Sequence, residues 1–220
     1  MTTAYTDFYD YLMPDVPGCL PEVATQAIRL AVIEFCKRTH FWQVTLSAIN
    51  VVAETAAYTL TPLANTDIQK VLRANYRADP TAATSGQELI RKTPSELETI
   101  YYHWETEERD EPIFVTQVTR ASVILVPIPQ TAVTNGLKVK VSLKPTLDST
   151  DFTLDDIFDQ YAEDIARGAK YRLQMSPKKP YTDVNMATAN KQLFDQFINQ
   201  TADQVARSFM DLNISYEPLV

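Results

Sequence analysis

Residues 20–42, LPEVATQAIRLAVIEFCKRTHFW, constrain the fold more than any other stretch. At about 100° per residue, Leu20, Val23, Ala24, Ala27, Ile28, Leu30, Ala31 and Phe35 fall on one side. Glu22, Thr25, Gln26, Arg29 and Lys37 fall on the other. Pro14, Pro17 and Gly18 lead into the stretch, and Phe41-Trp42 closes it. The pattern predicts one amphipathic helix, whose apolar side needs partners. Two residues break it: Ile33 lies in the polar stripe and Glu34 inside the apolar arc.

Past Trp42 the period changes. Residues 43–53 and 55–60 are rich in strand formers and predict a hairpin around Ala53-Glu54. Residues 68–78 predict a further strand with Ile68, Val71 or Leu72, and Tyr76 inward, and 87–90 a short partner for it. Thr93-Pro94-Ser95-Glu96 is a helix start: Thr93 caps, Pro94 suits the first position and Glu96 completes a capping box, with the helix running to about Trp104. A charged loop, ETEERDE at 105–111, precedes a hairpin of 112–118 with 122–128. Asn135-Gly136 is the clearest turn signal. After it, Leu137, Val139, Val141 and Leu143 alternate with Lys138, Lys140, Ser142 and Lys144, the pattern of a half-exposed antiparallel strand. Thr153 then opens a second long helix to about Met175, carried by Tyr161, Ile165, Gly168, Ala169 and Leu173. Asp183 caps a last helix to about Phe209.

The fold class is therefore α+β: a helical bundle, made of the N-terminal helix and two long C-terminal helices, with an inserted antiparallel β-rich module. The expected domains are 1–42 with 150–209 as a discontinuous bundle, 43–149 as the β-rich insertion with one short helix, and 210–220 as a docking tail. A chain of 220 residues, 45% hydrophobic, has enough apolar material for such a core.

Composition removes several function classes. The net charge of −8 argues against a protein that grips nucleic acid by neutralising phosphates. The four glycines are scattered, whereas phosphate-cradling loops need them clustered. No apolar run reaches membrane-spanning length, and the acidic start MTTAYTDFYDYLMPD lacks the pattern of a signal peptide. Cys19 and Cys36 would stand roughly 25 Å apart along a helix, beyond disulfide reach, which fits a reducing compartment.

No catalytic, metal or cofactor set emerges. Cys36 and His40 have helical metal-pair spacing, but zinc needs more ligands than these. The neighbouring carboxylates Asp155-Asp156 and Glu163-Asp164 read more simply as helix-dipole compensation and a solvated face than as an acid–base pair. The lysines 138, 140 and 144 read as the solvent face of a strand. A carboxylate in an apolar arc is costly unless paired. Glu34 is accordingly a buried ion-pair candidate with Arg38, Arg167 or Arg172, or else an exposed group at a subunit seam. Ile33 is a subunit-contact candidate or a scattered surface residue. The tail residues Leu212, Ile214, Tyr216, Leu219 and Val220 favour docking over a purely solvated end.

The order of these features resembles the head-to-tail adaptor (connector) proteins of tailed bacteriophages. The matching stretches are DVPGCLP at 15–21 before a helix ending EFCKR at 34–38, TPSEL at 93–97 with Trp104 after it, and VILVPIP at 123–129 before LKVKVSLKP at 137–145. YAEDIARGA at 161–169, running into MSPKKP at 175–180, completes the set. The resemblance implies a non-enzymatic ring, typically a dodecamer, beneath the portal protein. Such a ring extends the DNA channel and presents a platform to tail (nozzle or tube) proteins, while DNA passes without sequence-specific binding. It implies a virion protein of the head–tail junction, assembled in the host cytoplasm, with no membrane and no cofactor. In several relatives the C-terminal helix or tail engages the portal, which suggests that role for Asp211 to Val220. The alternatives are a tail completion or tail-tube component of the virion, and a carboxylate-dependent hydrolase using Glu163 and Asp164.

Overall fold

The computed structural model describes residues 3–79, 86–149, 151–152 and 155–207. The fold is α+β and rich in antiparallel pairing. The chain divides into two compact units, a helical unit of 1–41 with 145–220 and a strand unit of 42–144.

The helical unit begins with β1 (Thr3–Ala4), a 3-10 turn at Tyr5–Phe8, α1 (Tyr9–Leu12) and a second turn at Met13–Asp15. Phe8 and Leu12, one helical turn apart, are buried, and Tyr11 is exposed. The amphipathic helix is α2 (Pro21–Thr39). Pro21 occupies its first turn, where a missing N–H costs nothing. His40 takes the left-handed position that ends it, at φ 51°, and its N–H donates to the Cys36 carbonyl at 3.1 Å. Ala24, Ala27, Ile28, Ala31 and Phe35 are buried as predicted. Leu20, 64% exposed at the helix entrance, and Val23, 42% exposed, lie outside the buried stripe.

Ile33 corrects a second expectation: it is 5% exposed, so its side chain is buried within the chain and is no surface contact. Thr25, Arg29 and Ile33 form one i, i+4 row along α2. The N-terminal segment lies along that row, since the Tyr9 hydroxyl pairs with Thr25 Oγ1 at 2.6 Å and Arg29 stacks over the Tyr5 ring. Alpha-2 therefore buries two faces, one of which its own leader covers.

The strand unit contains β2 (Gln43–Thr45), β3 (Ile49–Val51), β4 (Ala57–Thr59), β5 (Thr66–Tyr76), β6 (Gln87–Glu88) and β7 (Ile90–Arg91). It continues with α3 (Pro94–Ile100), β8 (Glu108–Arg109), β9 (Phe114–Thr119), β10 (Ser122–Val126), β11 (Ile128–Pro129) and β12 (Val133–Pro145). Its spine is β12, with β2 and β3 antiparallel on one side and β5 on the other. A second sheet has the order β4-β10-β9-β7, and β8 pairs with β11 in parallel. The hairpin expected from 43–53 with 55–60 does not form. Beta-2 and β3 pair with β12, and β4 pairs with β10, because no turn dipeptide holds the two segments together and distant partners are available. The β9–β10 hairpin forms as expected.

Asn135-Gly136 is not a hairpin turn. It is an irregularity inside β12, with Asn135 at φ 54° and its N–H donated to Asn50 Oδ1 at 2.8 Å. Beyond it, Leu137, Val139, Val141 and Leu143 are fully buried. The opposite face is not solvent along its length: Ser142 is buried, and Lys144 is buried against the carboxylate of Asp67. Burial changes along this thirteen-residue strand: Lys138 and Lys140 are half-buried, whereas every residue from Val141 to Pro145 is buried. Helix α3 has the predicted capping box, with Glu96 N–H to Thr93 Oγ1 at 3.3 Å and Thr93 N–H to Glu96 Oε2 at 2.8 Å. It stops at Ile100, and Trp104 turns inward onto Leu97, Phe114 and Val126.

The chain returns to the helical unit through β13 (Asp151–Phe152), which pairs with β1. Buried Tyr5 and Ser149 share a hydroxyl–hydroxyl hydrogen bond of 2.8 Å beside it. Then come α4 (Asp155–Gln174) and α5 (Val184–Ala206). Thr153 and Phe209, the expected helix limits, lie outside the described residues. Asp183 caps α5 by accepting from the Asn185 and Met186 N–H groups, each at 3.0 Å. Ala187, Asn190, Phe194, Phe197, Ile198 and Thr201 make its buried stripe. Helices α2, α4 and α5 contact one another pairwise. Gly168 lets α5 approach α4 closely: a Cβ there would stand 2.7 Å from the Phe194 ring.

Candidate functional site

Glu34 sits where α2 meets both later helices. Its Oε2 accepts from Arg172 Nη2 and, at 3.3 Å, from the Tyr171 hydroxyl, both on α4. Its Oε1 accepts from Arg38 Nη1 at 3.3 Å, one turn along α2. The same Arg38 nitrogen donates to Asp195 on α5. A chain of alternating charges thus runs Arg172, Glu34, Arg38, Asp195 across three helices. Arg172 also stacks on the Tyr171 ring at 4.5 Å and donates to the Gly168 carbonyl.

The Glu34 and Arg172 side chains are 30% and 19% exposed, so the pair is half-buried rather than sealed. This lowers the desolvation cost that a fully buried pair would carry. Hydrogen bonding to Asp195, followed by the charges of Asp195 and Glu34, holds the Arg38 guanidinium above its ordinary pKa against the opposing effect of burial. Burial pushes the Tyr171 hydroxyl up, with Arg172 opposing and Glu34 adding.

Of the three arginines the sequence offers to Glu34, the structure brings Arg38 and Arg172 to it. Arg167 faces elsewhere and grips two other carboxylates, Glu163 Oε1 at 2.6 Å and Asp164 Oδ1 at 2.8 Å. Burial is the largest influence on Asp164 and raises its pKa, with Arg167 opposing and Glu163 adding. The neighbouring carboxylates are therefore clamped by one guanidinium and do not face each other across a cleft. Asp195 and Tyr171 escaped sequence reasoning. Asp195 lies 157 positions from Arg38, and no local pattern signals a pairing at that distance.

An aromatic cluster closes the same unit. Phe35 stacks on Phe197 with centroids 5.4 Å apart, and Phe41 meets Tyr161 edge-on at 5.4 Å. Each such pair contributes about 0.5–1.5 kcal/mol beyond its buried area. This cluster and the ion-pair chain together fix the relative positions of α2, α4 and α5.

Cys19 and Cys36 are both buried and neither is in a disulfide. Among the described residues, no group of three His, Cys, Asp or Glu side chains is placed to hold a metal ion. No described helix is long and apolar enough to cross a membrane. Leu212, Ile214, Tyr216, Leu219 and Val220 lie outside the described residues. The family model of the SU10 adaptor protein matches residues 5–214. No curated protein matches the chain.

Proposed function

The chain belongs to the SU10 adaptor family, a phage head-to-tail adaptor family, and from this premise we propose that it is one subunit of a structural ring beneath the portal protein. The observation that carries the proposal is the length of the family match, which takes in nearly all of both compact units. The ring, a dodecamer as is typical of such adaptors, extends the DNA channel and presents a platform to tail proteins. The net charge of −8 supports a conduit that does not trap phosphates, so DNA passes through the lumen without sequence-specific binding. The chain works in the virion at the head–tail junction and is assembled in the host cytoplasm.

Within the subunit, 1–42 with 150–209 acts as a three-helix bundle and 43–149 as its inserted β-rich module. Supporting this are the pairwise contacts of α2, α4 and α5 and the chain of charges through Glu34. That chain braces the body and has no catalytic role. The tail 210–220, through Leu212, Ile214, Tyr216, Leu219 and Val220, docks on the portal. Deleting 210–220 is expected to leave a folded protein that no longer binds purified portal in a co-sedimentation assay; undiminished binding would remove the tail assignment. Electron microscopy of the particle tests the ring itself.

A further inference from the structure

The strand unit carries a basic cleft of about 340 Å³ lined by Lys70, Val71, Arg91, Lys92, Thr116 and Val123, among others. It lies where β5 and β9 each present a strand edge. Beta-7 pairs with Phe114 and Val115 of β9, and the Lys92 N–H adds a last bond to the Val115 carbonyl at 3.1 Å, so among the described residues the ladder ends at the cleft. On β5, side chains stand in for a partner strand at Val71: its N–H donates to Gln117 Oε1 at 2.9 Å and its carbonyl accepts from Arg91 Nη1 at 3.1 Å. Three cations line the cleft against one carboxylate, Glu96, which is already held by Thr93 and Lys92. Thr116 is 1% exposed, yet its hydroxyl has no hydrogen-bond partner among the described residues. A cationic rim over an unpaired hydroxyl donor is chemistry suited to a carboxylate.

The same unit holds a matching anion. Segment 105–111 carries Glu105, Glu107, Glu108, Asp110 and Glu111 against Arg109, and Arg109 pairs with Glu107. Its backbone is rigid, because Thr106 and Glu107 N–H groups donate to the His103 carbonyl while β11 pairs with Glu108 and Arg109. Asp110 and Glu111 act electrostatically on Tyr76, at the far end of β5 from Val71, about 16 Å along the strand. No ion pair among the described residues joins this segment to the cleft in one molecule.

A ring is built from a heterologous contact, in which one patch of each copy meets a different patch of the next. We propose that the cleft receives the carboxylates of segment 105–111 from a second copy of this chain, and that this charge pairing sets the relative orientation of neighbours in the ring. The proposal rests on the ring reading above. Opposite patches on one rigid unit speed encounter and reject the wrong orientation, because turning a copy round sets like charges together.

The test uses the full chain assembled on purified portal, with ring occupancy counted by electron microscopy and mass measurement. Reversing the cleft with Lys70→Glu and Lys92→Glu, or the loop with Asp110→Lys and Glu111→Lys, is expected to weaken neighbour association at least tenfold. Combining both sets of changes is expected to recover part of the loss. The unaltered chain should also lose occupancy between 50 and 500 mM salt as the pairing is screened, a readout that does not depend on any variant folding. Single reversals without effect, no recovery in the combination, or a salt-independent ring each overturn this contact and leave the ring reading standing. Absence of any ring from the unaltered chain overturns both.

Discussion

The helical and strand units solve the same problem, holding distant segments together, with different materials. In the helical unit the segments satisfy their own backbones, so side chains do the joining: the Phe35–Phe197 stack, the Gly168–Phe194 approach and the charges linking Arg172, Glu34, Arg38 and Asp195. In the strand unit the backbone itself joins them, through a β12 that pairs with β2, β3 and β5, and side chains patch places where the ladder stops. The first arrangement concentrates dependence on a few residues, whereas the second spreads it over many rungs.

The largest expected effect sharpens that contrast. Phe35→Ala removes a fully buried ring and its stack, and should cost about 3–5 kcal/mol in urea unfolding. Leu143→Ala in β12 should cost less, about 2–3 kcal/mol, because the neighbouring rungs remain. A reversed order would break the comparison.

A smaller pair of effects comes from one glycine in each unit. Gly168→Ala sets a methyl 2.7 Å from the Phe194 ring, and Gly136→Ala sets one 2.9 Å from Val133 Cβ. Each should cost about 1–3 kcal/mol by overpacking. Hydrogen exchange should localise the first to α4 and α5 and the second to β12 and β3.

Smaller again is the coupling in a double-mutant cycle of Glu34→Gln with Arg172→Met, expected near 1 kcal/mol because both groups keep some contact with water. It should shrink in high salt. A cycle that shows no coupling would remove the charge chain from the account of how α2 and α4 are held.

The least effect at neutral pH is alkaline. Burial raises the hydroxyl pKa of Tyr5 and Tyr171 in the helical unit and of Tyr58 and Tyr76 in the strand unit. A group whose folded pKa exceeds its unfolded value holds its proton longer in the fold. Its contribution is therefore whole below about pH 10 and is lost as pH rises through the folded value. Stability followed by circular dichroism should fall above about pH 10. Tyr58→Phe should make that fall shallower, apart from the hydrogen bonds it removes from Val52 and Thr55.

The difference between the units also governs how legible each is. Helix α2, the Thr93 capping box, the Asp183 cap and the buried row Leu137, Val139, Val141 and Leu143 depend on residues within a turn or a strand of one another, and local pattern reveals them. Pairing in the strand unit is non-local. The nearest pattern-matched partners for 43–53 and 55–60 were each other, yet their ladders go to β12 and β10. Asn135-Gly136 has the turn dipeptide, but Asn50 captures the Asn135 N–H and the strand continues. In the helical unit, Glu34 announced itself as a charge out of place. The choice of Arg172 and Arg38 over Arg167 depended on how α4 is rotated, and Glu163 and Asp164 already hold Arg167.

By itself the sequence determined where helices start and cap, which faces are apolar, that Glu34 needed a cation, and that the order of motifs resembles a phage adaptor. These follow from short-range sterics, hydrogen bonding and the cost of an unpaired charge. Tertiary structure alone decided that Ile33 is buried, that Lys144 is buried against Asp67, and that a basic cleft opens between the edges of β5 and β9. Each of those outcomes depends on which distant surface arrives at a given face, and periodicity along one segment carries no information about its neighbour.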